Sequence, residues 1–253
     1  MEITLPEQVR GVAERWGFVP TAELEGGHCS RVFADDTRIL KVSWQGEEMT
    51  YGLDAALKLQ KAGGPRVFHV DRESAAVLME RLTPGSTLGE SDLDESLGES
   101  VFVSLAEKIS SLDSGDAMSV RQYVECEPPI LSKLEDSVQT VTFLHGDLHH
   151  GNILLDGGTW RPIDPKGLVG DPHYECAALL RNPMERLEKA DDLTALTEKR
   201  ILSLAAAMNL NPWRIAAWGY VDQFNSAQDG SVWGRLKGVF AELERKLWKG
   251  QLW

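Results

Sequence analysis

The sequence predicts an α+β chain in two unequal parts: a small N-terminal part built on a mixed sheet with one helix, and a larger, mainly helical remainder. Three observations predict it. Short strand-like runs occupy residues 20–80, and apolar residues at helical spacing dominate beyond residue 94. Between them the turn-rich stretch Glu80-Arg-Leu-Thr-Pro-Gly-Ser86 breaks both patterns and reads as a linker. The boundary falls after Leu82, giving parts 1–82 and 83–253.

Pro6 to Trp16 reads as a short opening helix. Arg31-Val-Phe33 and Arg38-Ile-Leu-Lys-Val42 are strands joined by the turn Ala34-Asp-Asp-Thr37. From Glu47 to Lys61 a helix carries Leu53, Ala56, Leu57 and Gln60, and stops at Ala62-Gly63-Gly64-Pro65. Arg66–Val70 and Ala75–Met79 complete the sheet around Asp71-Arg-Glu-Ser74. Beyond the linker, Asp94 to Asp113 places Leu97, Val101, Leu105, Ile109 and Leu112 on one helical face. Val141-Thr-Phe-Leu144 is a short buried strand. Ile153-Leu-Leu155 and Thr159-Trp-Arg-Pro-Ile163 form a hairpin about Asp156-Gly157-Gly158, whose return strand Pro162 confines to an edge or a bulge. Helices follow over Pro172–Leu180, Met184–Met208, Asn211–Phe224 and Trp233–Trp248, with Asn211 capping Pro212.

At 253 residues, 42% apolar and 26% charged, the chain is of ordinary globular composition and can bury a substantial core. The net charge of −13 argues against a nucleic-acid partner, since a phosphate backbone requires a basic surface. No apolar run approaches a membrane span and Met1-Glu-Ile-Thr-Leu-Pro lacks a signal pattern, so a cytoplasmic location is expected. Cys29, Cys126 and Cys176 have no metal or redox spacing and read as free thiols. Residues 1–82 carry 10 Lys and Arg against 13 acids, net −3; the rest carries 16 against 26, net −10. An acidic larger part would draw in a cationic small molecule.

The most informative stretch is His145-Gly-Asp-Leu-His-His-Gly-Asn152, followed after the hairpin by Ile163-Asp164. Its carboxylate, carboxamide and second carboxylate are spaced to hold Mg-ATP against a hydroxyl group. Asp147 suits a base beside the acceptor hydroxyl. Asn152 and Asp164 supply the hard oxygens that Mg2+ prefers. Lys41, a charge within the apolar strand Ile39-Leu-Lys-Val42, is the candidate for pairing with phosphates. Gly26-Gly27-His28-Cys29-Ser30 has the small residues of a loop over phosphates, with Gly27 and Ser30 as contacts, although an ordinary hairpin turn explains it almost as well. The adenine would meet the linker at the backbone of Glu80, Arg81 and Leu82, with Met79 at its gateway. A metal-ligand cluster of His145, His149, His150 and Asp147, or simply a polar turn, is the rival reading. Adjacent His149 and His150 point in different directions, however, and no H-E-x-x-H or C-x-x-C pattern supports it.

H-x-D-x-x-x-x-N with a later Asp resembles the catalytic segments of kinase-like phosphotransferases. Ile163-Asp-Pro-Lys-Gly-Leu-Val-Gly-Asp-Pro-His-Tyr174 and Leu179-Leu-Arg-Asn-Pro183 narrow this to a resemblance to the aminoglycoside/hydroxyurea antibiotic-resistance kinases. Leu40-Lys-Val-Ser-Trp44 and Leu78-Met-Glu-Arg-Leu82 are similar to the same group. The resemblance implies a protein-kinase-like two-lobed fold, ATP and Mg2+, Asp147 as catalytic base, Asn152 and Asp164 as metal ligands, and Lys41 as phosphate contact. It also implies that His145 braces the loop and that Asp171 caps the next helix. The implied acceptor is a hydroxylated, cationic small molecule, an aminocyclitol antibiotic such as streptomycin, or else a metabolite such as an amino sugar, an amino alcohol or a hydroxamate-like compound. Glu175 and Asp222 are the acidic candidates for contacting its amines. Two departures stand out. Leu53 occupies the helix position where the family usually has a Glu to orient the strand lysine, leaving Glu48 or Asp54 as substitutes, and Glu175 stands where an Asp is usual. Leu53 motivates a rival from another class, a nucleotide-binding regulator without turnover. Oligomeric state is not legible.

Overall fold

The computed structural model describes residues 5–24, 30–44, 51–124, 127–224 and 231–248. In chain order, α1 (Glu7–Arg15) precedes β1 (Ala22–Leu24), β2 (Ser30–Ala34) and β3 (Arg38–Ser43). Next come α2 (Gly52–Leu59), extended by one 3₁₀ turn to Ala62, then β4 (Val67–Asp71) and β5 (Ala76–Glu80). The sheet order is β1-β2-β3-β5-β4 and every pairing is antiparallel. The expected mixed sheet is therefore corrected: tight hairpins join β2 to β3 and β4 to β5, and a hairpin enforces antiparallel neighbours. Val9, Ala13 and Phe18 from the α1 region pack against Phe33, Leu40, Val42, Ala76 and Leu78 as a small core of their own.

The chain continues through β6 (Pro84–Thr87), α3 (Glu95–Ser110), β7 (Met118–Ser119), α4 (Val120–Tyr123) and α5 (Ile130–Asp136). Then come β8 (Thr142–Leu144), the hairpin β9 (Ile153–Asp156) and β10 (Thr159–Pro162), and β11 (Leu168–Gly170). Helices α6 (Cys176–Leu180), α7 (Met184–Glu188), α8 (Leu193–Met208), α9 (Pro212–Asp222) and α10 (Val232–Leu247) complete the molecule. Pro162 lies on β10, which is the edge of the order β10-β9-β6, where a missing N–H costs no ladder bond. The expected single helix 184–208 is two helices, because Asp192 accepts the Ala195 amide at 2.9 Å and starts α8 afresh. Nor does the stretch after Glu80 hang free: β6 pairs with β9, Asp156 accepts the Thr83 amide at 3.0 Å, and Gly157 donates to the Thr83 carbonyl at 2.9 Å. Arg161 of β10 reaches the carbonyls of Gly63 and Gly64 at 2.9 and 2.7 Å and the Glu80 carboxylate at 3.0 Å. The hairpin thus fastens the sheet-rich part to the helical one.

Leu59 and Ala62, at the end of α2, belong to the large core with Phe102, Ile109, Phe143, Ile153, Leu180, Ile201, Ile215 and Phe240. A second cluster under the loop 145–152 joins Leu144, Leu168, Leu131, Leu134, Tyr174 and Trp218. Asp171 caps the 3₁₀ turn Pro172–Glu175 through the His173 amide and also accepts from Arg214 and from the Trp218 indole N–H at 2.7 Å. Cys176 is a buried free thiol, while Cys29 and Cys126 lie outside the described residues. No helix among the described residues is long and apolar enough to cross a membrane.

Candidate active site

Phe143 and Leu144 are buried on β8 and deliver His145 to the strand end, where Gly146 turns the chain at φ +80°. A Cβ on Gly146 would stand 2.7 Å from a methyl of Leu168, so glycine serves both the conformation and the close approach. His145 is fully buried. Its Nε2 lies 2.8 Å from the Ile163 carbonyl and its Nδ1 accepts the Asp147 amide at 3.3 Å. Those partners require a neutral ring with its proton on Nε2, and burial drives the imidazole pKa down to about 4. The His145 carbonyl accepts the amides of Lys166 and Gly167 at 2.8 and 3.3 Å. One residue thereby ties the Asp147 loop to the segment after the hairpin.

Asn152 donates from Nδ2 to the Asp147 carbonyl at 2.9 Å, which leaves its carboxamide oxygen as the end able to ligate a metal. Its own carbonyl accepts the Ile163 amide at 2.9 Å, and the next residue is Asp164. Asp164 sits at φ +62°, a left-handed conformation that Asp tolerates better than most residues. Its carboxylate forms an ion pair with Lys41. Burial pushes the Asp164 carboxyl upward, but the Lys41 ammonium outweighs it and holds the group below the ordinary carboxylate range.

Lys41 is opposite Val32 and Val77 in the middle of the small sheet. Leu53 of α2 is buried and cannot orient it, and Asp54 is engaged by Arg72 at 2.5 and 3.2 Å. Glu48 lies outside the described residues. Among the described groups, then, Asp164 holds Lys41. Gly167, at φ +69°, closes the arrangement: a Cβ there would stand 2.5 Å from that of Ala55, so glycine lets α2 rest on the loop after Asp164.

The other expected nucleotide contacts fall as follows. Gly27 lies outside the described residues, and Ser30 opens β2 as a buried residue opposite Ser43. Glu80 ends β5 with its carboxylate on Arg161, and Leu82 is buried two residues on. The Arg81 amide is committed to the Thr37 carbonyl at 2.9 Å, which removes it from the expected adenine donors.

On the acceptor side, Arg181 follows α6 and bridges two carboxylates, Asp147 Oδ1 at 2.5 Å and both oxygens of Asp222 at 3.1 and 2.9 Å. Asp222 also accepts from the Tyr174 hydroxyl at 3.1 Å and from Gln223 Nε2 at 2.7 Å. Burial raises the Asp147 carboxyl above its usual range, offset in part by Arg181, His149 and Lys166. Lys166 Nζ lies 3.9 Å from Asp147 Oδ2 and His149 Nε2 lies 4.0 Å from Oδ1. Glu175 is corrected: it is 3% exposed and its two oxygens accept the His145 and Gly146 amides at 2.7 and 3.3 Å, behind the loop and not toward an acceptor. Burial lifts its carboxyl to about 7. Asp222 is already bridged to Arg181, so it contributes no bare carboxylate to an incoming amine. Trp213 and Trp218 are 2% exposed and belong to the core.

Arg181, Lys166 and His149 were not among the sequence-derived site residues. Arg181 carried a usable signal, since a cation closing the apolar run Ala177-Ala-Leu-Leu180 must find buried anionic partners. Among the described residues no three His, Cys, Asp or Glu side chains are grouped as metal ligands. A divalent ion at Asn152 and Asp164 would need further oxygens from a bound molecule, as a nucleotide's phosphates provide.

The sequence profile of the aminoglycoside/hydroxyurea antibiotic resistance kinase family matches residues 95–234. The streptomycin 6-kinase of Streptomyces griseus is 28% identical over 247 residues, covering 85% of this chain and 79% of that protein. Among solved structures, a choline/ethanolamine kinase family protein from Mesorhizobium loti superposes with a TM-score of 0.60 at 14% identity, over 96% of this chain and 95% of that one. The streptomycin–ATP–APH(2")-IIa ternary complex gives 0.55 at 14% identity, over 88% and 91%. Those likenesses give the protein-kinase-like fold. The profile covers more than half of the sequence, and the chain belongs to the aminoglycoside/hydroxyurea antibiotic resistance kinase family, a family of small-molecule kinases.

Proposed function

We propose that the chain transfers the γ-phosphoryl group of Mg-ATP to a hydroxyl of an aminoglycoside, with streptomycin as the first acceptor to test. Asp147 takes the hydroxyl proton as the acceptor oxygen bonds to the γ-phosphorus and the bond to the bridging oxygen of ADP breaks. Lys41 contacts the phosphates. Asn152, through its carboxamide oxygen, and Asp164, through its ionised carboxylate, would hold Mg2+, and their oxygens fit that ion's preference. Bound there, the ion would neutralise charge on the phosphates. The expected division into a nucleotide-binding part, residues 1–82, and a catalytic and acceptor-binding part, residues 83–253, belongs to this reading.

The observation that carries it is the hydrogen-bond circuit through His145, which links Asp147 to Ile163, next to Asp164 and its partner Lys41. Phosphorylation would add negative charge to a drug whose cationic surface serves its binding to ribosomal RNA, and resistance follows from that. Support for the aminoglycoside comes from the streptomycin 6-kinase relative. A second reading, a small neutral acceptor of the hydroxyurea kind, is favoured by the engagement of Glu175 and Asp222, which leaves neither as a bare partner for a cation. ADP release measured over streptomycin, other aminocyclitols, hydroxyurea and amino alcohols distinguishes them, with Asp147→Asn and Asp164→Ala as controls. Fastest release with streptomycin, confirmed by the mass of the product, is expected. Nucleotide binding without ADP release for any acceptor would favour a regulator instead.

A further inference from the structure

We infer that Arg181 is a positioning residue for the base, fixing the Asp147 carboxylate so that one oxygen is held by the protein while the other takes the acceptor proton. The inference rests on Asp147 being the base. Arg181 gives one arm of its guanidinium to Asp147 Oδ1 at 2.5 Å and the other to both oxygens of Asp222. Asp147 Oδ2 is the oxygen on the Lys166 side. The anchor is itself anchored. The guanidinium of buried Arg200 donates to the carbonyls of Leu179, Leu180 and Asn182 at 2.9, 3.2 and 3.0 Å, on both sides of Arg181 in sequence. At the far end, Tyr174 and Gln223 hold Asp222.

Three chain segments, the catalytic loop, the end of α6 and the end of α9, thus meet at one planar group. A guanidinium suits this place because its fork reaches two carboxylates in fixed directions, which a single ammonium cannot do. Without it, two carboxylates would face each other across a half-buried gap, and Asp147 would be free to rotate. Catalytic groups are sensitive to such freedom: a displacement of about 1 Å costs about 100-fold in rate.

The test is steady-state ADP release by the full chain, with streptomycin and, in parallel, with water alone as acceptor. Arg181→Ala, Arg181→Lys, Asp222→Asn and Asp147→Asn are compared. Arg181→Ala is expected to lose about 100-fold in kcat with the KM for ATP unchanged. Added guanidinium ion should restore part of that loss in Arg181→Ala and none in Asp147→Asn, a rescue that a purely structural role does not give. Arg181→Lys should fall between. Should Arg181→Ala fail to fold, Arg181→Lys and Asp222→Asn decide, each by a kcat loss at constant KM. Arg181→Ala turnover within threefold of wild type overturns the inference, as does a loss confined to the KM for streptomycin. Asp147→Asn that still turns over at the wild-type rate would instead remove the reading of Asp147 as base.

Discussion

The two sides of the site are held in opposite ways. On the nucleotide side a lysine and an aspartate, 123 residues apart in sequence, form an ion pair between β3 and the end of the hairpin, with 16% and 31% of their side chains exposed. On the proposed acceptor side Arg181 bridges Asp147 and Asp222, with Tyr174 and Gln223 bonded to Asp222 and Arg200 to the carbonyls on either side of Arg181. The first joins two opposite charges that, on the proposed reading, a nucleotide and its metal would re-partner. The second is a network of half-buried charges, costly to open because each charge would lose a partner. On the proposed reading, the base is held by three chain segments while the phosphate-binding charges stay exchangeable.

The largest effect expected is from Asp164→Ala. It removes a proposed metal ligand and leaves Lys41 without this carboxylate, so ADP release should fall by about 1,000-fold or more and magnesium should no longer tighten nucleotide binding. Fluorescent-nucleotide titration with and without Mg2+ reads the second part, and an unchanged Mg2+ dependence would contradict the exchangeable pair. Next is Lys41→Met. It should lower kcat/KM for ATP by about 100-fold while the KM for the acceptor stays put, since charge–phosphate contacts of this kind are worth a few kcal/mol. An equal change in both KM values would place Lys41 elsewhere in the cycle.

Glu175→Ala sharpens the contrast from the rigid side. It strips the acceptor from two buried amides, His145 and Gly146, and at about 1–3 kcal/mol for each unsatisfied donor the protein should lose about 2–6 kcal/mol in urea unfolding. Glu175→Gln, which keeps one acceptor oxygen, should lose less. The smallest effect is in pH dependence. Burial keeps folded His145 neutral to about 4 and His150 to about 3, whereas their ordinary value is 6.5. The unfolded chain therefore binds more protons below 6.5, and stability falls as acid is added from 6.5 down to about 4 for His145 and about 3 for His150. Glu175 works the other way, since a carboxyl raised from 4.5 to about 7 contributes fully below 4.5 and loses that contribution as pH rises toward 7. His150→Gln should flatten the acid-side slope of the unfolding free energy, and an unaltered slope would remove His150 from the account.

Much of this was legible in the sequence because the reactive segment is contiguous. Residues 142–164 carry their own strand, loop and hairpin, so local spacing tied Asn152 to the Asp147 carbonyl and, through the Ile163 amide, to the neighbour of Asp164. The sheet strands were legible for the same reason, being runs of five or six residues bounded by turns. Strands β1, β6, β7 and β11 were missed because they have only three, four, two and three residues and exist through pairing with other segments. The role of Glu175 was misread for a related reason. A lone carboxylate in sequence looks like a ligand for a cation, whereas its partners are backbone amides 29 and 30 residues upstream, and backbone leaves no sequence signature. Arg181 lay within a motif used for its resemblance, but its bridge to residues 34 and 41 positions away is a property of the folded chain alone.

The most direct measurement of the central claim, that Asp147, Asn152 and Asp164 act as one phosphoryl-transfer centre, is single-turnover transfer from γ-labelled ATP to the acceptor at saturating Mg-ATP, comparing wild type with Asp147→Asn. The variant should bind Mg-ATP as tightly as wild type and transfer the label about 1,000-fold more slowly or worse. Transfer at the wild-type rate, or a defect that vanishes once nucleotide binding is saturated, would contradict it.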